Sequence, residues 1–320
     1  MLSVLQQAGG DGDAGRGRDG RPGQGAGGVL NPLPIRPARA DDKPAIAAFT
    51  ENTFAWGDYV VRVLDEWLAH PDGIVLVATG PADQPIALAR TVLLSAQEAW
   101  AQGARVHPEF RRRGIGKRLN DALCDWAARQ GAQVMRLAVE DWNEPARGQV
   151  GQLGYRPVSD WVMAERELGQ ATSDPRGDGG QRISPPEQVE PAPSSEAEPA
   201  YLAWVRSEAA RDARELFPVG WSWRRLTKDD LEAAARAGSF WEGRPGWAIA
   251  GREEDTFRAS WMATTSEDGP AIVRAIVQRA TLSGADRLEV MAPAVGWLTD
   301  SLRGAGLELH PLTVYAKALL

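Results

Sequence analysis

The feature that most constrains this chain is the stretch Arg105-Val106-His107-Pro108-Glu109-Phe110-Arg111-Arg112-Arg113-Gly114-Ile115-Gly116, followed at once by a helical pattern from Lys117 to about Gln130. An apolar run ends in proline, a basic segment closes on two glycines two apart, and a helix begins. Glycine permits positive φ and close backbone approach, and the first N–H groups of the helix point outward with the positive end of the helix dipole behind them. Successive N–H groups in such a turn make an anion-binding concavity, to which Arg111, Arg112, Arg113 and Lys117 add charge. Ile115, Leu119, Leu123 and Trp126 recur at helical spacing and give the support one apolar stripe. The stretch therefore reads as a phosphate cradle on a rigid base, with a plain basic turn capping a helix as the alternative.

Spacing excludes two other phosphate loops. Lys117 is followed by Arg118, so the hydroxyl that a Walker-type loop offers to magnesium is missing, and the position of the third glycine in a dinucleotide fingerprint is Leu119. What remains, Arg111-x-x-Gly114-x-Gly116 after a Val-x-Pro strand end, is accompanied downstream by an apolar strand at Val134 to Val139, then Asn143-Glu144-Pro145-Ala146, then Leu153-Gly154-Tyr155. Upstream, Glu98-Ala99-Trp100 leads into Arg105-Val106. These three blocks, in this order, resemble the GNAT acetyltransferase superfamily, whose pyrophosphate loop is Arg/Gln-x-x-Gly-x-Gly/Ala. The resemblance extends more loosely from Leu33 to about Leu168.

Composition bounds the function class. With 43% hydrophobic residues the chain is globular, and its net charge of −7 argues against general binding to nucleic acid or anionic membrane. Cys124 is the only cysteine, which rules out an intrachain disulfide and a cysteine metal cluster, and no metal is expected. Its place in the helix after the loop suits a structural thiol. No apolar run approaches the roughly 18 residues of a membrane span, and the first residues lack the basic lead of a secretion signal, so the cytoplasm is expected.

Taken in order, residues 1–29 are Gly-, Arg- and Asp-rich and are expected to be disordered. A first domain, 30–168, reads as a strand near Leu33 to Ala38, helices at Lys43 to Thr50 and Val60 to Ala69, strands at Ile74 to Ala78, Ile86 to Leu94 and Glu98 to Val106, the loop helix, the strand at Val134, a helix and a last strand from Arg156 to Arg166. Residues 169–200 read as a Pro/Gly-rich linker. The second domain, 201–320, repeats the first in thinner form: a strand over Val219 to Leu226, Thr227-Lys228-Asp229-Asp230 and a helix from Leu231, strands at Trp247 to Gly251 and Thr256 to Thr264, a long helix from Ala271 to Leu282 and a strand at Arg287. The interval from Gly131 to Gly154 recurs between Gly284 and Gly306 to within one residue, which points to tandem duplication. The turn before the second long helix, Ser266-Glu267-Asp268-Gly269-Pro270, carries one glycine and two carboxylates that repel a pyrophosphate. The expected fold is α/β, a mixed and mostly antiparallel sheet flanked by helices, present twice in tandem with a degenerate second copy that makes the chain a pseudo-dimer.

The resemblance implies the chemistry. The coenzyme-binding residues would be Val106, His107, Arg111, Arg112, Arg113, Gly114, Ile115, Gly116, Lys117, Asn143 and Ala146, with acetyl-CoA as acyl donor. The backbone N–H of Val106 would face the acyl oxygen. Glu98, on the strand before the loop, would be the general base, or else a solvated strand carboxylate, with Glu140 and Asp141 as second choices. His107 reads as structural beside Pro108. The family's usual tyrosine acid falls at Val150, and Tyr155 stands at a packing position, so the thiolate would take its proton from water; a thiol pKa of about 8.5 makes it a fair leaving group. The implied activity is N-acetyl transfer to a small-molecule or peptide amine, the other reading being an acyl-CoA-binding regulatory or scaffold protein.

Overall fold

A computed structural model describes residues 33–51, 53, 57–169 and 189–319; the expected disordered segment 1–29 and most of the linker lie outside these residues. The described residues form two compact units, one from those within 33–93 and 101–131 and one from those within 94–100 and 132–319. In chain order the elements are β1 (Ile35–Pro37), α1 (Lys43–Thr50), α2 (Val60–Ala69), β2 (Gly73–Thr79), β3 (Pro85–Leu93), β4 (Glu98–Val106), α3 (Ile115–Arg129), β5 (Val134–Glu140), α4 (Glu144–Gln152) and β6 (Arg156–Glu167). There follow β7 (Glu190–Pro191), α5 (Ala197–Arg206), α6 (Glu208–Asp212), β8 (Leu216–Val219), β9 (Ser222–Arg225), α7 (Lys228–Arg236), β10 (Phe240–Gly243), β11 (Gly246–Glu253), β12 (Thr256–Ala263), α8 (Gly269–Leu282), β13 (Arg287–Pro293), α9 (Gly296–Gly304) and β14 (Glu308–Ala318).

In the first unit β1, β2 and β3 pair antiparallel, with Leu76 opposite Ala89 and Val77 opposite Leu88. Alternation sends Val75, Val77 and Leu88 to one face, where Ile46, Phe49, Val60, Leu64 and Trp67 of α1 and α2 cover them. The amphipathic spacing of Val60, Leu64 and Trp67 is what makes α2 a helix with one buried side. Helix α3 packs on the same two strands with Leu119 and Leu123 buried. Asp58 accepts from the N–H of Val60 at 3.0 Å and holds Arg105 at 2.6 Å, so one buried carboxylate ties the start of α2 to the end of β4.

The second unit has the sheet order β4-β5-β14-β6-β13-β12-β11-β10-β7, to which β4 contributes its first residues. Strand β14 pairs antiparallel with β5 (Leu312 opposite Glu140) and also with β6 (Leu312 opposite Trp161). Strand β6 in turn pairs with β13. The closing strand of each copy thus lies between two strands of the other. This placement explains the sequences: Trp161 to Glu165 of β6 and Leu312 to Tyr315 of β14 are consecutively buried, as strands covered on both faces must be.

Two sequence expectations are corrected. The strand foreseen over Val219 to Leu226 is a hairpin, β8 and β9, turned at Gly220 with φ +60°, a left-handed conformation that favours glycine. The linker foreseen to residue 200 ends earlier, because β7 pairs with β10 and Ala197, Ala200 and Trp204 recur at helical spacing to bury one face of α5.

Val314 faces Ala138 on one side and Ser159 on the other, so Val314→Pro removes a donor from a central strand. It is expected to destabilise the fold by about 3 kcal/mol or more in chemical denaturation; an unchanged midpoint would show that β14 does not occupy the centre.

Candidate functional site

The basic turn foreseen as a phosphate cradle lies at the end of β4. Strand β4 is interrupted at Gly103, φ +69°, where an added Cβ would come within 2.6 Å of the Trp67 ring, so only glycine lets the strand bend over α2. Val106 is the last strand residue; its carbonyl accepts from Nε of Arg111 at 3.2 Å. The chain then makes a 3-10 turn, Pro108–Phe110, capped by Nδ1 of His107, which accepts from the N–H of Glu109 at 3.3 Å. With Phe49 and Phe110 against its ring, at 5.9 and 5.5 Å between centroids, the His107 side chain is occupied by the turn, as its sequence context indicated.

Backbone φ is then positive twice in three residues, +61° at Arg112 and +73° at Gly114. Arg112 is strained there, and Gly114 is the N-cap of α3 with no side chain to cap it. The first helical bond is donated by Arg118 to the carbonyl of Gly114 at 3.1 Å, so the N–H groups of Ile115, Gly116 and Lys117 precede the ladder and face outward. A Cβ placed on Gly114 meets nothing within 4 Å: the space beside the cap is open. Arg113 lies over Phe110 at 5.1 Å and Lys117 pairs with Asp121 at 2.5 Å, which hold both cations near the turn. Arg118 anchors the helix start elsewhere, donating to the carbonyl of Leu33 at 2.6 Å.

The corresponding turn of the second copy is closed. Helix α8 starts at Gly269, whose added Cβ would lie 2.7 Å from the ring of Trp297 on α9, and Asp268 at the cap is held by Thr265. An indole occupies the side that is open at Gly114. The missing glycine and the two carboxylates thus go with a filled site.

The remaining foreseen residues lie in the second unit. Asn143 caps α4: its Oδ1 accepts from the N–H of Ala146 at 3.2 Å, which gives the Asn-x-x-Ala block a structural reason of its own. Val150 on α4 is buried, and so is Tyr155, with Lys317 over its ring at 5.9 Å. Asp141 accepts from Thr313 at 3.5 Å, a hydroxyl that also donates to Asp160 at 2.8 Å, and stands 3.8 Å from Arg147.

Glu98 is engaged on both oxygens. Oε1 accepts from Arg136 at 2.6 Å and from the main-chain N–H of Arg225 at 3.2 Å, and Oε2 accepts from Ser95 at 3.0 Å. The side chains of Glu98 and Arg136 are only 12% and 10% exposed. Beside it, Trp223 of β9 packs between Trp100 and Trp161 at 5.4 and 5.8 Å, all three buried. Neither Arg136 as the partner of Glu98 nor the place of Trp223 between Trp100 and Trp161 was foreseen; no local pattern marks a pair 38 residues apart.

Glu140, at the end of β5, is different. Burial pushes its carboxyl above the usual range, against smaller opposing effects of a hydrogen bond from Trp142 and the nearness of His310. His310 itself, on β14, meets the buried Glu165 at 3.1 Å. This pair, too, escaped the sequence reading.

Residues 43–155 match the acetyltransferase (GNAT) family. By structure the chain is similar to a GCN5-related N-acetyltransferase from Sphaerobacter thermophilus, at TM-score 0.61 and 15% identity over 90% of this chain and 96% of that one. It is also similar to a tandem GNAT protein from the clavulanic acid biosynthesis pathway, at TM-score 0.53 and 14% identity over 90% and 99%. A fungal multi-domain β-N-acetylglucosaminidase with a GCN5-related glucosamine N-acetyltransferase region matches at TM-score 0.63 and 13% identity, over 90% of this chain and 38% of that one. No curated protein matches by sequence. At these identities the structural likeness speaks for the fold.

A carboxyl whose pKa is raised in the fold holds its proton more tightly there than in the unfolded chain. Its cost to stability is absent below the ordinary carboxyl pKa of about 4.3 and appears as pH rises through the raised value. Glu140→Gln is therefore expected to raise Tm at pH 8 and to leave it nearly unchanged at pH 4. An equal shift at both would remove burial as the cause.

Proposed function

We propose, from the premise that residues 43–155 are an acetyltransferase (GNAT) domain, that this protein transfers an acetyl group from acetyl-CoA to an amine by direct attack in a ternary complex. The observation that carries the reading is the cradle at Arg112 to Lys117, where two left-handed residues, three outward N–H groups and an open flank at Gly114 meet. A pyrophosphate fits this donor set, which is made of main-chain N–H groups at a helix start with cations around them.

The roles are those of the family pattern carried onto these residues. The N–H groups of Ile115, Gly116 and Lys117 take the pyrophosphate oxygens, and Arg111, Arg112, Arg113 and Lys117 offset their charge. The N–H of Val106 stabilises the oxyanion as the amine nitrogen bonds to the thioester carbon, a contribution of a few kcal/mol for a fixed donor of this kind. His107 acts through the turn it caps. By the family pattern Asn143 and Ala146 contact the coenzyme near its pantetheine, and Asn143 Oδ1 also caps α4. As the C–S bond breaks, the thiolate takes a proton from water, since Val150 offers none.

For the base we replace Glu98 by Glu140. The Glu98 carboxylate is already held by Arg136, Ser95 and the main-chain N–H of Arg225, whereas a carboxyl raised by burial is a stronger proton acceptor for an incoming ammonium. Glu98 then belongs to the scaffold that seats β9 on the sheet. The acceptor is a small-molecule or peptide amine, and the second copy serves as structure rather than as a second coenzyme site. One observation favours a second reading, an acyl-CoA-binding protein with little turnover: the buried Val150 where the family has its acid.

Coenzyme A is expected to raise Tm, and Gly114→Glu to abolish the rise, because a negative side chain then fills the open flank. A retained shift would remove the cradle from the argument. Thiol release from acetyl-CoA with a panel of amines separates the two readings, since the binding protein releases none. If turnover is present, Glu140→Gln should lower kcat/KM by about 10²-fold or more near neutral pH, with partial recovery as the amine becomes neutral. Glu98→Gln should act mainly through stability; the opposite ranking would restore Glu98 as base.

A further inference from the structure

We propose that a cleft in the second unit, separate from the cradle, binds a small organic anion, a carboxylate or phosphate ester carried on an apolar group. Two adjoining cavities of about 480 Å³ and 320 Å³ share Pro157, Val158 and Arg214 as a common wall. Arg211 lines the larger, and Arg136 and Arg225 line the smaller.

The charge of the smaller cavity is unbalanced. Arg136 is neutralised by Glu98, and the main chain of Arg225 is bound to the same carboxylate, which leaves the guanidinium groups of Arg225 and Arg214. Among the described residues Arg211, Arg214 and Arg225 form no ion pair; the guanidinium of Arg214 makes one long bond, from Nε to the carbonyl of Val158 at 3.4 Å. Carboxylates do reach the larger cavity, Asp160 and Asp212, but Asp160 is bonded to Thr313 at 2.8 Å. Elsewhere Arg36, Arg105, Arg224 and Arg258 each hold a carboxylate, and Arg118, Arg166 and Arg252 bond main-chain carbonyls at 2.5 to 2.7 Å.

The backbone is also committed to this arrangement. Arg214 and Glu215 are consecutive non-glycine residues with φ +56° and +59°, closing α6 through the N–H of Glu215 on the carbonyl of Ala210 at 2.7 Å. Strain of this kind persists where the surroundings over-determine it, often at a ligand clamp. The rest of the lining of the smaller cavity is apolar, with Pro157, Val158, Leu216 and Ala316. A planar cationic fork recognises an oxyanion with two parallel hydrogen bonds, and the apolar wall takes the rest of a molecule sized for 320 Å³.

The test is calorimetric titration at low salt with benzoate, phenyl phosphate and the neutral isostere benzyl alcohol. At least one anion is expected to saturate and benzyl alcohol is not; tighter benzoate identifies a carboxylate site and tighter phenyl phosphate a phosphate-ester site. Arg214→Gln and Arg225→Gln should each weaken the anion about tenfold, the size of one charge-assisted interaction. Arg303→Gln, on the exposed face of α9, should leave affinity unchanged. All three substitutions are of exposed side chains, and a preserved Tm verifies folding. The proposal is overturned if neither anion saturates, if benzyl alcohol binds as well, or if both cleft substitutions leave the affinity intact.

Discussion

Strand β14 bonds along both edges, to β5 on one side and to β6 on the other, and the architecture of the second unit depends on it. Main-chain donors and acceptors in a covered sheet must be paired, so a strand bonded on two sides fixes the register of both neighbours at once. The pairing of Leu312 with Glu140 and with Trp161 therefore decides which residues of β5 reach the end of the sheet. Glu140 is half-buried beside His310 for that reason, and a slip of one residue would turn it to the opposite face.

The two copies show how the same local design is kept or lost. At Gly114 the helix start is open and flanked by cations. At Gly269 the corresponding start is shut by Trp297 and carries Asp268 at its cap. The second copy has packing where the first has an open flank, yet its strands remain indispensable because they complete the sheet of the first. Trp223 adds to this by filling the space between Trp100 and Trp161, with the neighbouring Arg225 contributing a main-chain donor to Glu98.

Much of the fold was legible in the sequence, and the reasons are local. Helices α1 and α2 fall at Lys43–Thr50 and Val60–Ala69, where apolar spacing marks them, and the turn after β4 is written in its prolines, arginines and glycines. What could not be read is pairing. Periodicity tells that Val314 lies in a strand but not that its neighbours are Ala138 and Ser159, because identical alternation suits many partners. The ion pair of Glu98 with Arg136 escaped for the same reason, and with it the state of the carboxylate first chosen as base. The β8–β9 hairpin and helix α5 were missed although signals existed, Gly220 in one and the spacing of Ala197, Ala200 and Trp204 in the other.

The insertion of β14 also bears on how the protein comes into being. Strands β5 and β6 are complete early in synthesis, but the strand that belongs between them starts at Glu308. Until the ribosome has released that segment, β5 and β6 each present an unpaired edge, a template for pairing with other chains. Closing the sheet then requires contacts of very high sequence separation, which slow folding. The first copy, encoded first, is thus among the last parts of the molecule to be finished, and a growing chain stalled before residue 308 would be the form most in need of a chaperone.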